Sequence, residues 1–149
     1  MSAKPRLAVR ALLLNEDRLL MVNAWPGDQS DLLCAPGGGV DVGQSLPDNL
    51  KREVHEETGL VVEVGQIAMI NEFHDPPRNF HQVDVYFRCH LVSGDPFGEW
   101  TDPEGVVNRR LWLTRDELER HRYKPDSLPD VAWGTSELCA YDPLELILR

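Results

Sequence analysis

The chain has 149 residues, which suits one domain over 1–149 and leaves little room for two. Hydrophobic residues make up 42% and charged residues 27%, an ordinary globular balance that argues against wholesale disorder. Acidic residues outnumber basic ones 25 to 15; the resulting charge of −10 repels phosphate backbones and argues against binding of nucleic acid polymers.

Residues 6–14 read as a strand and 18–23 as its neighbour, with Asn15-Glu16-Asp17 as a short hairpin turn. Residues 24–31 form a polar loop. Leu32 to Ala35 is a short strand that runs into the turn Pro36-Gly37-Gly38-Gly39. Residues 46–57 are a helix. Its N-cap is Ser45, Pro47 lies in its first turn, Gly59 follows its last, and Leu46, Leu50 and Val54 form its buried stripe.

Residues 61–73 read as one or two strands, and 75–79 as a Pro-rich loop. His81 to Val92 alternates well, with Val83, Val85, Phe87, Cys89 and Leu91 on one face. A turn-rich loop covers 94–107, and Arg110 to Leu113 is a short strand. Thr114 and Glu117 form a capping box opening a helix to about His121. The tail from Tyr123 is punctuated by Pro, with an element over Leu144 to Leu148. Hairpins and non-alternating order predict an α+β fold with a mixed sheet.

Cys34, Cys89 and Cys139 are odd in number and widely spaced, which argues against a disulfide framework and a thiolate zinc site. A reducing, cytoplasmic setting follows. The apolar stretch Leu7 to Leu14 is broken by Arg10 and does not read as a leader. No segment approaches the roughly 18 apolar residues of a membrane span, so no membrane partner is expected.

Glu53, Glu56 and Glu57 lie at i, i+3 and i+4, on one side of the helix and away from its apolar stripe. They crowd the last turn, where the helix dipole is already negative. Arg52 alone cannot neutralise all three. Clustered carboxylate oxygens suit Mg²⁺ or Mn²⁺, and such a cation would reconcile an acidic protein with an anionic substrate. A merely solvated acidic helix end is the plainer account of the same residues.

The flanking residues favour the metal. Gly38, Gln44, Arg52, Glu53, Val54, Glu56, Glu57, Gly59 and Leu60 resemble the Nudix box: Gly, five residues, Glu, seven residues, then Arg-Glu-aliphatic-x-Glu-Glu-x-Gly-aliphatic. The pattern holds over 23 residues and departs once, at Gln44, where the family has Glu. The resemblance implies an α/β/α sandwich and hydrolysis of a nucleoside diphosphate linked to another group. It implies Glu53, Glu56 and Glu57 as ligands, with Glu53 as ligand or general base, and Arg52 as the residue that orients the glutamates. Gly37, Gly38 and Gly39 would bring the loop backbone close to metal or phosphates.

Outside the box, Glu104 is the candidate for a further ligand or base, with Glu99 second. Pro76 lies near where family members acting on ADP-ribose carry a proline. Trp25, Phe73, Phe80 and Trp100 lie in or beside loops and could stack on a base, although an exposed Trp equally suits a homodimer contact. Trp112 and Tyr86 are expected in the sheet, Cys34 as a small buried hydrophobe, and His55 towards solvent. His74 and His81 are expected as loop polar groups, and Arg10 at an edge or outward-facing position, with a reach to a phosphate or an internal acid as the alternative. The partner expected is a small nucleotide or other diphosphate. The competing reading is a Nudix-fold binding or regulatory module that has lost catalysis, favoured only by Gln44.

Overall fold

A computed structural model describes residues 3–149. Eight strands and three helices follow in chain order: β1 (Arg6–Asn15), β2 (Arg18–Asn23), β3 (Leu33–Cys34), β4 (Gly37–Gly39), α1 (Leu46–Thr58), β5 (Val61–Asp75), β6 (Phe80–Ser93), β7 (Arg110–Leu113), α2 (Arg115–Leu118), α3 (Leu128–Ala132) and β8 (Ala140–Leu146). The sheet is mixed. Its path runs β3-β2-β1-β6-β5-β8, with β4 added on β1 and β7 on β2.

β1 is central and both its faces are buried. Val9, Ala11 and Leu13 meet Leu50 and Val54 of α1. On the opposite face Leu12 joins a second core with Met21, Met69, Tyr86, Leu118 of α2, and Leu128 and Ala132 of α3. The layers are thus helix, sheet and helix, the α+β sandwich expected. The same two-sided burial explains why β6 buries Gln82, Asp84 and Tyr86 as well as the alternating set Val85, Phe87 and Cys89.

Local signals account for most boundaries. Glu16 and Asp17 both take left-handed φ (51° and 63°), which closes the two-residue β1–β2 hairpin. Ser45 Oγ accepts from Asp48 N at 3.2 Å, and Gly59 ends α1 at φ 74°. Thr114 and Glu117 complete the capping box. The α-helix it opens ends at Leu118 rather than near His121, and two turn bonds continue to His121. Residues 61–75 are one strand, with register shifts between Val64 and Met69. In the tail, α3 and β8 replace the single late element expected; β8 pairs parallel with β5.

The largest local departure concerns Pro36 to Gly39. The expected turn is strand β4, paired antiparallel to β1 through Ala8–Gly39, Val9–Gly38 and Arg10–Gly37. β1 forks here: its first half carries β4, and its end, Leu14 and Asn15, carries β2. The fork sets β4 beside the carboxylate face of α1. Among the described residues no helix is long and apolar enough to cross a membrane.

Candidate active site

Glu53, Glu56 and Glu57 stand on the last turns of α1, fixed there by the burial of Leu50 and Val54. Arg52 ties them together. Its Nη1 donates to both carboxylate oxygens of Glu56 at 3.1 and 3.2 Å. Its Nη2 donates to Asp41 at 2.7 Å and lies 3.4 Å from Glu53 Oε1. Its Nε donates to Gln44 Oε1 at 3.4 Å. Gln44 therefore sits at the outer end of the Arg52 network as a neutral acceptor. The carboxylate that a Glu would offer Arg52 there comes from Asp41, which the sequence reading did not single out.

Asn49 was also missed. It is fully buried, its Nδ2 donates to Gly39 O at 3.0 Å, and its Oδ1 accepts from Asp41 N at 3.0 Å. One side chain thereby satisfies two backbone groups of the segment leading into α1.

β4 contributes by close approach. Gly37 N donates to Glu57 Oε2 at 3.0 Å. A Cβ on Gly38 would lie 2.7 Å from Glu53 Oε2, so glycine is what lets the strand run under that carboxylate. Shielding from water pushes the Glu57 carboxyl up to about 8, against the opposing pull of Arg10 and the Gly37 N–H. Glu53 is raised for the same first reason; Arg52 opposes the shift and the charges of Glu56 and Glu104 add to it.

Glu104 thus lies within electrostatic reach of Glu53, on the loop after β6. Asp102 builds that loop. It is buried, and its carboxylate accepts from the backbone N–H groups of Glu104 (3.0 Å), Val106 (3.2 Å) and Val107 (2.9 Å). Asn23, buried at the end of β2, closes the loop's far side. Its Nδ2 donates to Trp25 O and Val106 O, and its Oδ1 accepts from Asn108 N and Arg109 N. Glu99 is exposed on the same loop.

A cleft of about 460 Å³ is lined in part by Arg10. Trp25, Phe73 and Phe80 line it, as does Tyr86 from the sheet, and Phe73 and Phe80 pack at 6.1 Å between ring centroids. Its polar floor is a chain of contacts. Arg6 Nη1 donates to Gln82 Oε1 at 2.6 Å, Gln82 Nε2 donates to Asp84 Oδ1 at 2.7 Å, and Asp84 Oδ2 lies 3.5 Å from Arg10 Nε. Arg10 is not outward-facing; it takes the alternative expected of it and reaches an internal acid. It points into the protein because Asp84, only 3% exposed, needs a charge partner. Burial opposes the charge on Arg10, but Asp84, with smaller contributions including Glu57, more than offsets it and holds its pKa above the usual arginine value. Arg10 therefore lines the cleft as the charge partner of Asp84.

The family model of the NUDIX domain matches residues 4–133. The chain belongs to the Nudix hydrolase family. An ADP-ribose pyrophosphatase of Methanocaldococcus jannaschii is 23% identical over 91 residues, covering 61% of this chain and 54% of that protein. The mouse protein called nucleoside diphosphate-linked moiety X motif 6 is 32% identical over 85 residues, covering 57% of this chain and 25% of that protein. The chain therefore spans about half or less of the length of these curated relatives. A crystal structure of an ADP-ribose pyrophosphatase from Streptococcus suis superposes with a TM-score of 0.67 at 26% identity, covering 93% of this chain and all of that one.

The Nudix carboxylates fit a hard divalent cation by their chemistry. Glu53, Glu56, Glu57 and Glu104 offer oxygen donors only, and their mutual repulsion is what a cation would relieve. They are gathered rather than closed: among the described residues no three acidic, imidazole or thiol groups already surround one point. Glu56 faces Arg52 and Glu57 faces the Gly37 N–H, so a cation would draw both from their present partners.

The other candidates are placed as follows. Trp25 lines the cleft, but its Nε1 donates to Leu148 O at 3.1 Å and the Arg149 guanidinium stacks 4.3 Å from its ring centre. Trp100 does not line the cleft; it packs on the end of α1. His55 is exposed with its ring edge-on to Trp100. Pro76 opens a 3-10 turn outside the cleft, whose wall there is Asp75 and Arg78. His74 and His81 are a cross-strand pair on β5 and β6 rather than loop groups. Trp112 is in β7, where its Nε1 donates to Pro96 O. Cys34 is only partly buried, lies 3.9 Å from Arg10 Nη1, and lines the cleft.

Proposed function

We propose that this Nudix chain, acting as one domain, is a divalent-metal-dependent pyrophosphohydrolase of nucleoside diphosphates linked to another group, with ADP-ribose-like nucleotide sugars as the leading class and nucleoside triphosphates second. The observation that carries the reading is the crowding of Glu53, Glu56 and Glu57 on the last turns of α1, beside β4, where Gly37 donates to Glu57 and Gly38 runs under Glu53. The diphosphate would lie over the acids, and the aromatic-walled cleft has the character an organic group such as a base would need. The named relatives support a pyrophosphatase and tilt the choice towards ADP-ribose.

Glu53, Glu56, Glu57 and Glu104 would hold Mg²⁺ or Mn²⁺, which would neutralise charge growing on the phosphoryl oxygens and acidify water. Glu53 is the candidate base. Burial raises its pKa and so makes it a better proton acceptor at neutral pH. Arg52 orients Glu56 through its two-oxygen contact. Arg10 would steer the diphosphate from the cleft side.

The test is product release from ADP-ribose, other nucleotide sugars, dinucleoside polyphosphates and nucleoside triphosphates, with Mg²⁺, Mn²⁺ or EDTA. Metal-dependent cleavage of ADP-ribose is the expected result. Silence across the panel in protein that still binds Mn²⁺ would overturn it in favour of a binding or regulatory module.

A further inference from the structure

Two carbonyls of the last turn of α1, those of Glu56 and Thr58, are taken by side chains from elsewhere. Trp100 Nε1 donates to Glu56 O at 2.8 Å. Arg110 Nη1 donates to Thr58 O at 2.7 Å, and its Nη2 donates to Gly98 O. The loop over 94–107 is therefore fastened to the end of α1 at Gly98 and at Trp100. The Trp100 ring also lies against Gly59: a Cβ on that residue would come within 2.5 Å of Trp100 Cε3. Gly59 thus serves twice, once for the left-handed φ that ends α1 and once as the seat of the indole. Beyond Trp100, Asp102 folds the chain back through its three backbone contacts and presents Glu104.

We propose that Trp100 is a positioning residue that clamps the acidic loop to the Glu56 main chain and Gly59 at the end of α1, holding the segment that carries Glu104 in one placement relative to the helix. This rests on the metal-site reading above. Without the clamp, the loop's first half stays tied to the end of α1 at Gly94, packed on Gly59, and at Gly98, bonded to Arg110; both lie before residue 99. The residues from 99 to 104 would then move against the helix. Glu104 is one of the four carboxylates read above as holding the cation, so that movement changes the cation's surroundings directly.

The experiment compares wild type, Trp100→Phe, Trp100→Ala, Glu104→Gln and the Trp100→Ala/Glu104→Gln double variant. Mn²⁺ affinity is read by calorimetry, and amide hydrogen exchange is read over residues 99–105. Trp100→Ala should weaken Mn²⁺ binding about tenfold, as loss of an outer-shell support does, and raise exchange in the loop. Trp100→Phe keeps the ring on Gly59 but loses the N–H donor, so it should fall between; it also serves if the alanine variant does not fold. In the Glu104→Gln background, Trp100→Ala should add no further loss of affinity, because both act through one carboxylate. Unchanged loop exchange, or an equal further loss in that background, would overturn the clamp. Wild type that binds no Mn²⁺ would overturn the metal reading instead, and loop exchange would still decide the clamp.

Discussion

The backbone N–H of Gly37 donates to Glu57 Oε2 at 3.0 Å, which joins the β4 strand to the acidic face of helix α1. The bond spans 20 residues of sequence and fixes a carboxylate that burial makes reluctant to ionise. Glu57→Gln keeps an oxygen acceptor for Gly37 and removes the charge. Metal-dependent turnover should be lost while the fold is kept. The pH dependence follows from the raised pKa. In metal-free protein the folded state holds the Glu57 proton more tightly than the unfolded state. Stability from this group is therefore greatest below the ordinary value of 4.5 and declines as pH rises to about 8. Melting temperatures in EDTA should fall across that window in wild type, and less steeply in Glu57→Gln. Parallel curves would refute the assignment.

Gly38→Ala places a methyl group 2.7 Å from Glu53 Oε2. The carboxylate must move, and a displacement of that order can cost about 100-fold in rate. We expect kcat to fall by about that factor with little change in circular dichroism. Full activity would mean that Glu53 has no precise role.

Asp41 stands in for the box glutamate that Gln44 replaces, as the carboxylate on Arg52. The pair is exposed on the Asp41 side, so Asp41→Asn should cost less than ~1 kcal/mol of stability. Its effect should appear in activity, through a loosened Arg52, as a several-fold fall in kcat/KM. Gln44→Glu in the Asp41→Asn background should recover most of it. Kinetics of the two single variants and the double variant decide this.

Arg10→Met should leave the Asp84 carboxylate buried without its charge partner, at a cost of about 3–5 kcal/mol in urea denaturation. Adding Asp84→Asn should recover part of that loss. Additive losses would show that the two residues are not a coupled pair.

Much of the molecule was legible from local patterns. Ser45, the Leu50–Val54 stripe and Gly59 fix α1, and the alternation along Val85, Phe87 and Cys89 fixes β6. The spacing of Glu53, Glu56 and Glu57 places three acids on one helix face whatever surrounds it. These signals repeat over a few residues, so the sequence alone determined the helix, the sheet class and the acidic face. Long-range contact decided the rest. Gly37 to Gly39 became a strand because β1 offers its backbone there, and Arg10 turned inward because Asp84 on β6 is buried beside it. Trp100 found the end of α1, 44 residues upstream of it, and Asn23 found the backbone of Asn108, 85 residues downstream. A hydrogen-bonding group that is to be buried needs a partner, but nothing in its own neighbourhood says which distant segment supplies it. That choice belongs to the packed tertiary structure.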